Sequence, residues 1–516
     1  MKPISIFNDV LGPVMRGPSS SHTAGPFHIG MLARQLLGDE PASVTFVFDR
    51  EGSIAKVYRQ QGSDLAFAAG VLGWSITDER LPRALDLAVE QGLKITFTVE
   101  PLTHADHPNT IEIRMVSRTG RELRAVANSI GGGAVVFTEV QGWPVRITGE
   151  AHEVLVVLDA GVERAVRQLL SQDGQAIGEP ERQARGDQVL LHSRRLSALE
   201  AGVQAQIEGL PGVRYLSTAA PVFYVPCGEP LFSSGAEMVE LAEQRGWSLG
   251  QIALAYESAL LGLPEGDVVA EMGRRFEVMR RGVQRGLEEN LPPMLLLRPS
   301  ARKIHRAEAE GRLAIGGIHT RAAARAMAVM HVSNGMGVVC AAPTGGAAGV
   351  IPGVMVTLAE EQGSSQEQTV LGLLAASAVG LVVAVRATFA AEVAGCQVEI
   401  GAAGAMAAAG VVEAAGGTAQ QAADAAAIAL QNTMGSVCDL VQGSCEIPCH
   451  TRNAVAASAA LVCADLILGG YVNPIPLDET VDAVYAVGRM LPSELKVTGL
   501  GGLSLAPSAV AMPRQR

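Results

Sequence analysis

CDLVQGSCEIPCHTRNA (438–454) is a polar, Gly-containing interruption of an Ala-rich region, and it contains Cys438 and Cys449. Upstream, GCQVEIGAAGAMAAAG (395–410) places Cys396 at the start of an Ala-rich segment. Alanine-rich segments of this kind predict helices, so these cysteines lie where predicted helices are interrupted. Thiolates grouped near a backbone break suit a soft metal ion or an iron–sulfur cluster. Three such ligands would leave one iron open to act as a Lewis acid on a substrate.

The spacing of the cysteines does not by itself define a metal site. Cys396 and Cys438 are 42 residues apart, and Cys438 and Cys449 are 11 apart. Neither interval matches the C-x-x-C pattern of zinc sites or ferredoxins, and free cysteines are often buried simply as apolar residues. Spacing also leaves the ligand set open. Three further cysteines lie nearby in sequence: Cys340, Cys445 and Cys463.

The composition predicts a large, acidic protein with closely packed helices. The chain has 516 residues, enough for two to four domains, and 48% of them are hydrophobic. Only 4% are aromatic, whereas 58 are glycine, and small residues let helices approach closely. The net charge of −12, without a basic run, argues against nucleic acid or an anionic membrane as a partner.

Three features favour a cytoplasmic protein. The N-terminal sequence MKPISIFNDVLGPVM (1–15) lacks a basic region followed by an apolar run, so we expect no signal peptide. The apolar run at 369–385 is short for a membrane span and ends at Arg386, which predicts a buried core helix. The seven cysteines are an odd number without an export signal, which favours reduced thiols.

The chain falls into three segments with different patterns. Residues 1–148 alternate strands with helices, 149–228 do so on a smaller scale, and 229–516 are predicted almost entirely helical. The predicted strands are 43–49, 94–100, 110–116, 134–140, 153–159, 188–193 and 213–219. The predicted helices of the third segment include 249–261, 265–288, 319–332, 367–391, 402–414, 418–434, 452–468 and 478–490.

Two hydroxyl-containing turns precede predicted helices. GPSSSHTAGP (17–26) offers hydroxyls and backbone N–H groups to a carboxylate or phosphate, and its His22 can exchange a proton. APTGGAAG (342–349) offers amides and one hydroxyl but lacks the lysine of a phosphate-binding P-loop. Taken alone, each turn is also the pattern of an ordinary helix entry. Gly131-Gly132-Gly133 would permit close approach of the backbone to a ligand.

Together these stretches resemble the iron–sulfur-dependent L-serine dehydratases (L-serine ammonia-lyases), with the two usual parts of that family fused in one chain. The matching stretches follow the family's order: PSSSHTAGP (18–26), SIGGG (129–133), AAPTGGAAGVIPG (341–353), GCQVEIGAAGAMAAAG (395–410), CDLVQGSCEIPCHTRNA (438–454) and LGGLSLAP (500–507). The resemblance implies an oxygen-sensitive [4Fe–4S] cluster, with three cysteines matching the family's ligands: Cys396, Cys438 and Cys449.

The resemblance also implies a multidomain fold. Residues 1–148 would form an α/β (α+β) domain similar to the allosteric substrate-binding domain of phosphoglycerate dehydrogenases. Residues 149–228 would form a small ACT-like βα module, and 229–516 an all-α catalytic domain that binds the cluster.

The implied activity is the dehydration and deamination of L-serine to pyruvate and ammonia, with the open iron stabilising the departing hydroxyl. We expect His22 to be the base, with the Ser20 hydroxyl as an alternative catalytic group. His331 and His450 are further candidates, although each also suits a structural role. The expected substrate-binding residues are Ser19, Ser21, Thr23, Gly131, Thr344, Gly345, Gly346 and Asn453.

The sequence departs from the family around residue 61. Gln61 replaces the His of a Gly-His-Gly-Thr-Asp segment, and Glu51-Gly52-Ser53 replaces a Tyr-Gly-Ser stretch. These changes leave open another β-hydroxy amino acid or hydroxy acid as substrate, or a non-catalytic iron–sulfur sensor of a small amino acid. A pyridoxal phosphate mechanism is disfavoured because none of the five lysines lies by a phosphate-type glycine loop. The remaining expectations are a small amino-acid substrate and, by default, a homodimer.

Overall fold

The computed structural model describes residues 3–514, in which a mixed α/β part is followed by a helical part. The N-terminal strands are β1 (Val14–Arg16), β2 (Pro41–Asp49), β3 (Lys94–Glu100), β4 (Thr110–Ser117), β5 (Glu122–Gly131), β6 (Ala134–Val140) and β7 (Trp143–Ile147). The helices among them are α1 (Gly25–Leu37), α2 (Ser53–Val57), α3 (Ser63–Val71) and α4 (Ala84–Glu90). Six of these strands form one sheet in the order β3-β2-β4-β5-β6-β7, with β2 and β3 parallel and the other neighbours antiparallel.

A smaller sheet follows with the element order β-α-β-β-α-β. Its strands are β8 (His152–Asp159), β9 (Glu181–Arg185), β10 (Gln188–Arg195) and β11 (Val213–Ala219), and its helices are α5 (Glu163–Ser171) and α6 (Ala201–Glu208). The strands are antiparallel in the order β11-β8-β10-β9. One face buries Val154, Val156 and Leu158 with the two helices, and Leu155 and Val157 pack against the core of the N-terminal sheet.

The C-terminal part is helical apart from β12 (Val338–Cys340). Its helices are α7 (Gly235–Arg245), α8 (Leu249–Leu261), α9 (Glu265–Gly286), α10 (Ala301–Ala309), α11 (Ile318–Asn334), α12 (Val350–Glu361), α13 (Gln366–Arg386), α14 (Ala391–Ala394), α15 (Ile400–Ala414), α16 (Ala419–Thr433), α17 (Cys449–Leu468), α18 (Leu477–Met490) and α19 (Pro507–Val510). The prediction of a multidomain α/β protein with a helical C-terminal region is therefore confirmed at this level.

Small residues set the spacing of the central helices, as the composition predicts. A Cβ placed on Gly410 of α15 would lie 2.9 Å from the carbonyl oxygen of Gly372 in α13. A Cβ on Gly353 of α12 would lie 2.7 Å from the carbonyl oxygen of Ala322 in α11. Only glycine permits these backbones to approach so closely without a shift of one helix.

Within residues 3–514, two helices are long and apolar enough, by length and composition, to cross a membrane. These are α13 and α17, and in the most apolar window of each helix 78% and 50% of the residues, respectively, are buried inside the protein. The burial of α13 agrees with the prediction of a core helix, because the helical part surrounds it.

The N-terminal residues are part of the helical core. Glu257 of α8 accepts hydrogen bonds from the backbone N–H groups of Ile6 (2.8 Å) and Phe7 (3.0 Å). Strand β1 pairs antiparallel with β12, with Val14 opposite Cys340. Ser19 follows β1 by three residues and Thr344 follows β12 by four, and the two hydroxyl-containing turns meet where the Gly345 N–H donates to the Ser20 hydroxyl at 3.3 Å.

Candidate active site

The structure gathers cysteines at the interruptions between helices. Cys396 opens a short helical turn before α15, and Cys449 is the first residue of α17. Cys438 is held by the C-terminal segment, since its N–H donates to Leu495 and its carbonyl accepts from Val497. All three side chains are buried. The sulfur atoms of Cys396 and Cys438 and a carboxylate oxygen of Glu399 lie within 4.8 Å of one another, so this group could hold a metal ion.

The remaining cysteines divide into near and distant ones. The thiol of Cys445 lies beside that of Cys449, and this contact together with burial raises the pKa of Cys449. Cys340 lies instead beside Arg275 and Glu271. Cys463 is 14 residues along α17 from Cys449, about 21 Å away by the helical rise. Four cysteines therefore lie close enough together to be candidate metal ligands. They are the three expected ligands and Cys445, which the structure does not distinguish from them.

Arg452 supplies positive charge to the cysteine group. Its Nη1 lies 3.7 Å from the Cys396 sulfur and 3.0 Å from an Asp439 carboxylate oxygen. A hydrogen bond from the Cys438 thiol and the charge of Arg452 lower the pKa of Cys396. A thiolate is the form that binds metal, so this environment favours a ligand role for Cys396.

The first hydroxyl-containing turn folds into a buried helical turn, Ser20–Ala24, capped by Ser19. The Ser19 hydroxyl accepts the N–H of His22 at 3.1 Å, and the Thr23 hydroxyl donates to the carbonyl of Gln61 at 2.8 Å. The Ser20 hydroxyl accepts the N–H of Gly345 at 3.3 Å, which joins this turn to the second one. Most of these hydroxyls therefore serve the structure of the site itself.

His22 is fully buried between two serine hydroxyls. Its Nδ1 lies 2.9 Å from Ser21 Oγ, and its Nε2 lies 3.1 Å from Ser53 Oγ. Because Ser53 donates its proton to the carbonyl of Val497 at 3.0 Å, its oxygen is left to accept from His22. This assigns the proton to Nε2 and leaves Nδ1 to accept from Ser21. Burial lowers the pKa of His22 to about 3, so the ring is neutral at physiological pH.

The second turn presents one free hydroxyl. Asn453 donates to the carbonyl of Gly346 at 2.8 Å and accepts the N–H of Gly349 at 3.1 Å, so its amide fixes the turn. A Cβ on Gly345 would lie 2.9 Å from the N of Ser20, which shows how closely the two turns pack. The Thr344 hydroxyl is buried and forms no hydrogen bond within residues 3–514. A buried hydroxyl without a hydrogen-bond partner destabilises the folded protein unless a bound ligand supplies that partner.

Gly131 packs against the segment that leads into Glu392. It has a φ of 101°, and a Cβ there would lie 2.9 Å from Cβ of Ala390. The neighbouring Ser129 donates to the carbonyl of Ser21 at 2.7 Å. The Gly131 hairpin therefore contacts the segment that carries the acidic residues of the site.

Sequence reasoning missed two acids, the buried Glu392 and the half-buried Glu399. Glu392 accepts from Asn109 at 2.8 Å, its other oxygen lies 3.4 Å from Ser21 Oγ, and burial raises its pKa to about 7. Burial and the neighbouring Cys396 raise the pKa of Glu399 well above its ordinary value, partly offset by the nearby Thr344 hydroxyl. An acidic residue three positions after a candidate cysteine ligand, in an otherwise apolar segment, was a usable indication for Glu399.

The other candidate histidines have structural partners. His331 Nε2 accepts the N–H groups of Ser300 (3.0 Å) and Ala301 (3.1 Å) at the start of α10. His450 Nε2 lies 3.0 Å from the amide nitrogen of Asn334. Gln61 is also buried near the turn, and its Oε1 forms no hydrogen bond within the described chain.

Comparison with known proteins shows the family to which the chain belongs. The family model described as serine dehydratase alpha chain matches residues 155–504, and the chain belongs to this family. The L-serine dehydratase of Mycobacterium bovis is 32% identical over 97% of this chain and 98% of its own length. In Bacillus subtilis, a probable L-serine dehydratase alpha chain is 37% identical over 54% of this chain and 93% of its own length. A probable beta chain from the same organism is 43% identical over 30% of this chain and 69% of its own length.

Proposed function

We propose that this protein is a lyase that dehydrates and deaminates L-serine to pyruvate and ammonia. The observation that carries the proposal is the unpaired Thr344 hydroxyl beside the converging cysteines, in a member of the serine dehydratase family. A small amino acid needs a carboxylate-binding turn next to the group that activates its hydroxyl. The hydrogen bond from the Gly345 N–H to the Ser20 hydroxyl, which joins the two turns, supports this placement.

The donor set fits a [4Fe–4S] cluster on Cys396, Cys438 and Cys449. The thiols are buried, the pKa of Cys396 is lowered while neighbouring thiols and burial raise those of Cys438 and Cys449, and Arg452 offsets negative charge at the group. When bound, such a cluster supplies an open Lewis-acidic iron for the β-hydroxyl. The reaction removes the Cα proton and the β-hydroxyl as water, and the resulting 2-aminoacrylate tautomerises and hydrolyses to the keto acid.

The protein's own groups bind the substrate and move the proton. Thr344, with the backbone N–H group of Gly346, holds the carboxylate, and Ser19, Ser20, Thr23 and Asn453 fix the two turns that surround it. His22 is the base, and it acts through the Ser21 hydroxyl that donates to its Nδ1. Burial keeps His22 neutral, which leaves the Nδ1 lone pair directed at Ser21.

The smaller sheet is proposed to be an ACT-like regulatory module, in a cytoplasmic enzyme whose first domain is similar to allosteric substrate-binding domains. The β-α-β-β-α-β order and the contact of the module with α1 support this assignment. Ser217 and Tyr215 of β11 donate to the carbonyl of Leu36 near the end of α1. Helix α1 begins next to the His22 turn, so the module contacts the helix that carries a catalytic loop.

The test is turnover by protein reconstituted anaerobically with iron and sulfide. We expect pyruvate and ammonia from L-serine, with a higher kcat/KM than for L-threonine or 3-hydroxyaspartate. Loss of activity in air and its return with ferrous iron and reductant would support the cluster. Turnover of another hydroxy amino acid but not of L-serine would contradict the substrate assignment, and binding without turnover would indicate a sensor.

The cysteine assignment has its own test, with Cys445→Ser as the matched control for Cys396→Ser, Cys438→Ser and Cys449→Ser. The three ligand variants should lose bound iron and acid-labile sulfide, whereas Cys445→Ser should retain both. The control is sharp because the Cys445 thiol lies beside Cys449. Cluster loss in Cys445→Ser, with a full cluster in any of the other three, would show that the ligand set is wrong.

A further inference from the structure

An α-amino acid carries a positive charge that the residues assigned so far do not bind. The hydroxyl and backbone N–H groups of the two turns suit a carboxylate, and His22 is neutral. A buried ammonium group needs an anionic or strongly accepting partner. The acids near these turns are Glu392 and Glu399.

Glu392 is already engaged within the protein. Its Oε1 accepts from the Asn109 amide at 2.8 Å, and its Oε2 lies 3.4 Å from the Ser21 oxygen, whose proton is donated to His22. Both of its oxygens therefore contact polar groups, one in the turn and one in the neighbouring sheet. These contacts hold Glu392 on the far side of Ser21, in the hydrogen-bonded chain that leads to His22.

Glu399 lacks such donors. No lysine, arginine or histidine of the described chain lies within ion-pair distance of it, and the neighbouring Thr344 hydroxyl does not reach hydrogen-bond geometry. Its side chain retains some accessible surface although Thr344, Gly346 and Cys396 around it are buried. A Cβ placed on Gly346 would lie 3.6 and 3.7 Å from its two oxygens and 3.8 Å from Thr344 Oγ1. Gly346 thus leaves room for a small group that contacts both side chains.

We infer that Glu399 binds the α-ammonium group of the amino-acid substrate, while Thr344 beside it binds the α-carboxylate. This inference rests on the proposed function and adds the residue that distinguishes an amino acid from a plain hydroxy acid. An acid and a free hydroxyl on either side of one glycine match the adjacent charges of an α-amino acid. The same carboxylate lies beside Cys396, so binding of the ammonium also orients the substrate towards the cysteine group.

The experiment compares Glu399→Gln with wild type, using L-serine and 3-hydroxypropanoate as probes. The second probe keeps the carboxylate and the β-hydroxyl but has no ammonium group. Binding of each is measured on the anaerobically reconstituted protein by calorimetry, along with the iron and sulfide content. We expect Glu399→Gln to weaken L-serine by about 100-fold, because a buried charge pair is lost, and 3-hydroxypropanoate by less than threefold.

Two further variants keep the test independent of folding defects. Glu399→Asp retains the charge and should recover part of the L-serine affinity. Glu413→Gln changes a carboxylate at the other end of α15, which accepts from Gly250 at 3.1 Å, and should alter neither affinity. Equal weakening of both probes by Glu399→Gln, or an unchanged L-serine affinity, would overturn the inference. Loss of iron from Glu399→Gln would also overturn it, because Glu399 would then be a metal ligand.

Turnover of L-serine by wild type tests the proposed function independently of the ammonium site. If wild type binds L-serine without turnover, the dehydratase function fails, while the selective loss of L-serine binding in Glu399→Gln would still establish the ammonium site. If wild type turns over L-serine and the variant loses both probes equally, the function stands and the ammonium site is wrong.

Discussion

At the scale of single residues, the site depends on the hydroxyl groups that hold His22. Ser53 lies in the segment where the chain departs from the family, yet its hydroxyl keeps the contact that sets the imidazole tautomer. The carbonyl that accepts from Ser53 belongs to Val497, whose N–H binds the carbonyl of Cys438. The proton on His22 is therefore linked to the backbone beside a candidate cluster ligand.

We predict that Ser53→Ala lowers kcat for L-serine by roughly tenfold or more with little change in KM. Without Ser53 the proton can move to Nδ1, and His22 then no longer accepts from Ser21. Steady-state kinetics on protein of equal iron content measure the effect. Ser53→Thr keeps the hydroxyl and should recover activity, and Ser377→Ala, a buried serine of α13, is the control. An unchanged kcat in Ser53→Ala would exclude this role.

Glu392 gives a prediction for the pH dependence of stability. Burial raises its pKa from 4.5 to about 7, so the folded protein keeps a proton that the unfolded chain loses at lower pH. The protonated Glu392 carboxyl contributes roughly 3 kcal/mol to the free energy of unfolding. This contribution is fully present below pH 4.5 and is lost as pH rises through about 7. Glu392→Gln should therefore gain stability relative to wild type between pH 5 and pH 8. Urea midpoints at both pH values measure this.

The control for that comparison is internal. Burial also raises the pKa of Glu257 to about 7, and Glu257 remains in both proteins. Wild type and variant should thus share a residual pH dependence, and only their difference reports Glu392. A constant difference between the two proteins from pH 5 to pH 8 would show that the Glu392 carboxyl is not perturbed in this way.

The residues of the site differed in how far sequence could predict them. The cysteines and the two turns were found because their residue types and the family resemblance mark them, and the structure brings them together. Glu392 and Glu399 were missed because a carboxylate becomes informative only when its neighbours are known. The roles of the site residues as ligands, base and substrate contacts stay predictions that the variants above test.

At the scale of elements, long amphipathic or apolar helices were predicted well. The predicted helix at 249–261 has the same bounds as α8, and most others differ by a few residues at their ends. Strands β1, β5, β7, β9 and β12 were missed. Strand β9 reads ERQAR and is mostly exposed, so it carries no hydrophobic alternation and is defined by its pairing with β10. Helices α10 and α12 were missed too, since α12 follows a glycine-rich turn and contains Pro352.

The crossing of α13 and α15 gives a prediction at this scale. Gly410→Val should destabilise the protein by roughly 1–3 kcal/mol, because the new side chain would press on the backbone at Gly372. The shift in the thermal unfolding midpoint at one scan rate measures this. Gly273→Ala in α9 is the matched control, since the nearest atom to its Cβ is a Gln366 side-chain nitrogen at 3.8 Å. It should be neutral or stabilising, as alanine favours helix.

At the scale of the whole molecule, the site belongs to neither half alone. The His22 turn comes from the N-terminal part, and the cysteines and the Thr344 turn come from the helical part. Contacts across the two parts join them at Glu257 with Ile6 and Phe7, and at β1 with β12. Relatives named as separate alpha and beta chains in Bacillus subtilis fit an architecture whose halves can be encoded apart.

We therefore predict that the chain can be divided without loss of the site. The segment between β11 and α7 has no regular helix or strand, so a break between Gly228 and Glu229 interrupts no element. Fragments 1–228 and 229–516, expressed together, should copurify through a tag on one of them and show kcat/KM for L-serine within about tenfold of the intact chain. The expected loss reflects only the ordering of two chains instead of one.

Each fragment alone supplies the control. The helical fragment contains every cysteine except Cys227 and should retain some iron after reconstitution, but it lacks His22, Ser21 and Ser53 and should not turn over L-serine. Adding fragment 1–228 that carries Ser53→Ala should restore binding of the fragments without restoring full kcat. Full activity of 229–516 by itself would show that the N-terminal turn takes no part in catalysis. The contacts of residues 5–16 with α8 and β12 connect the two parts of the molecule. Failure of the paired fragments to associate would show that these contacts form only in a continuous chain.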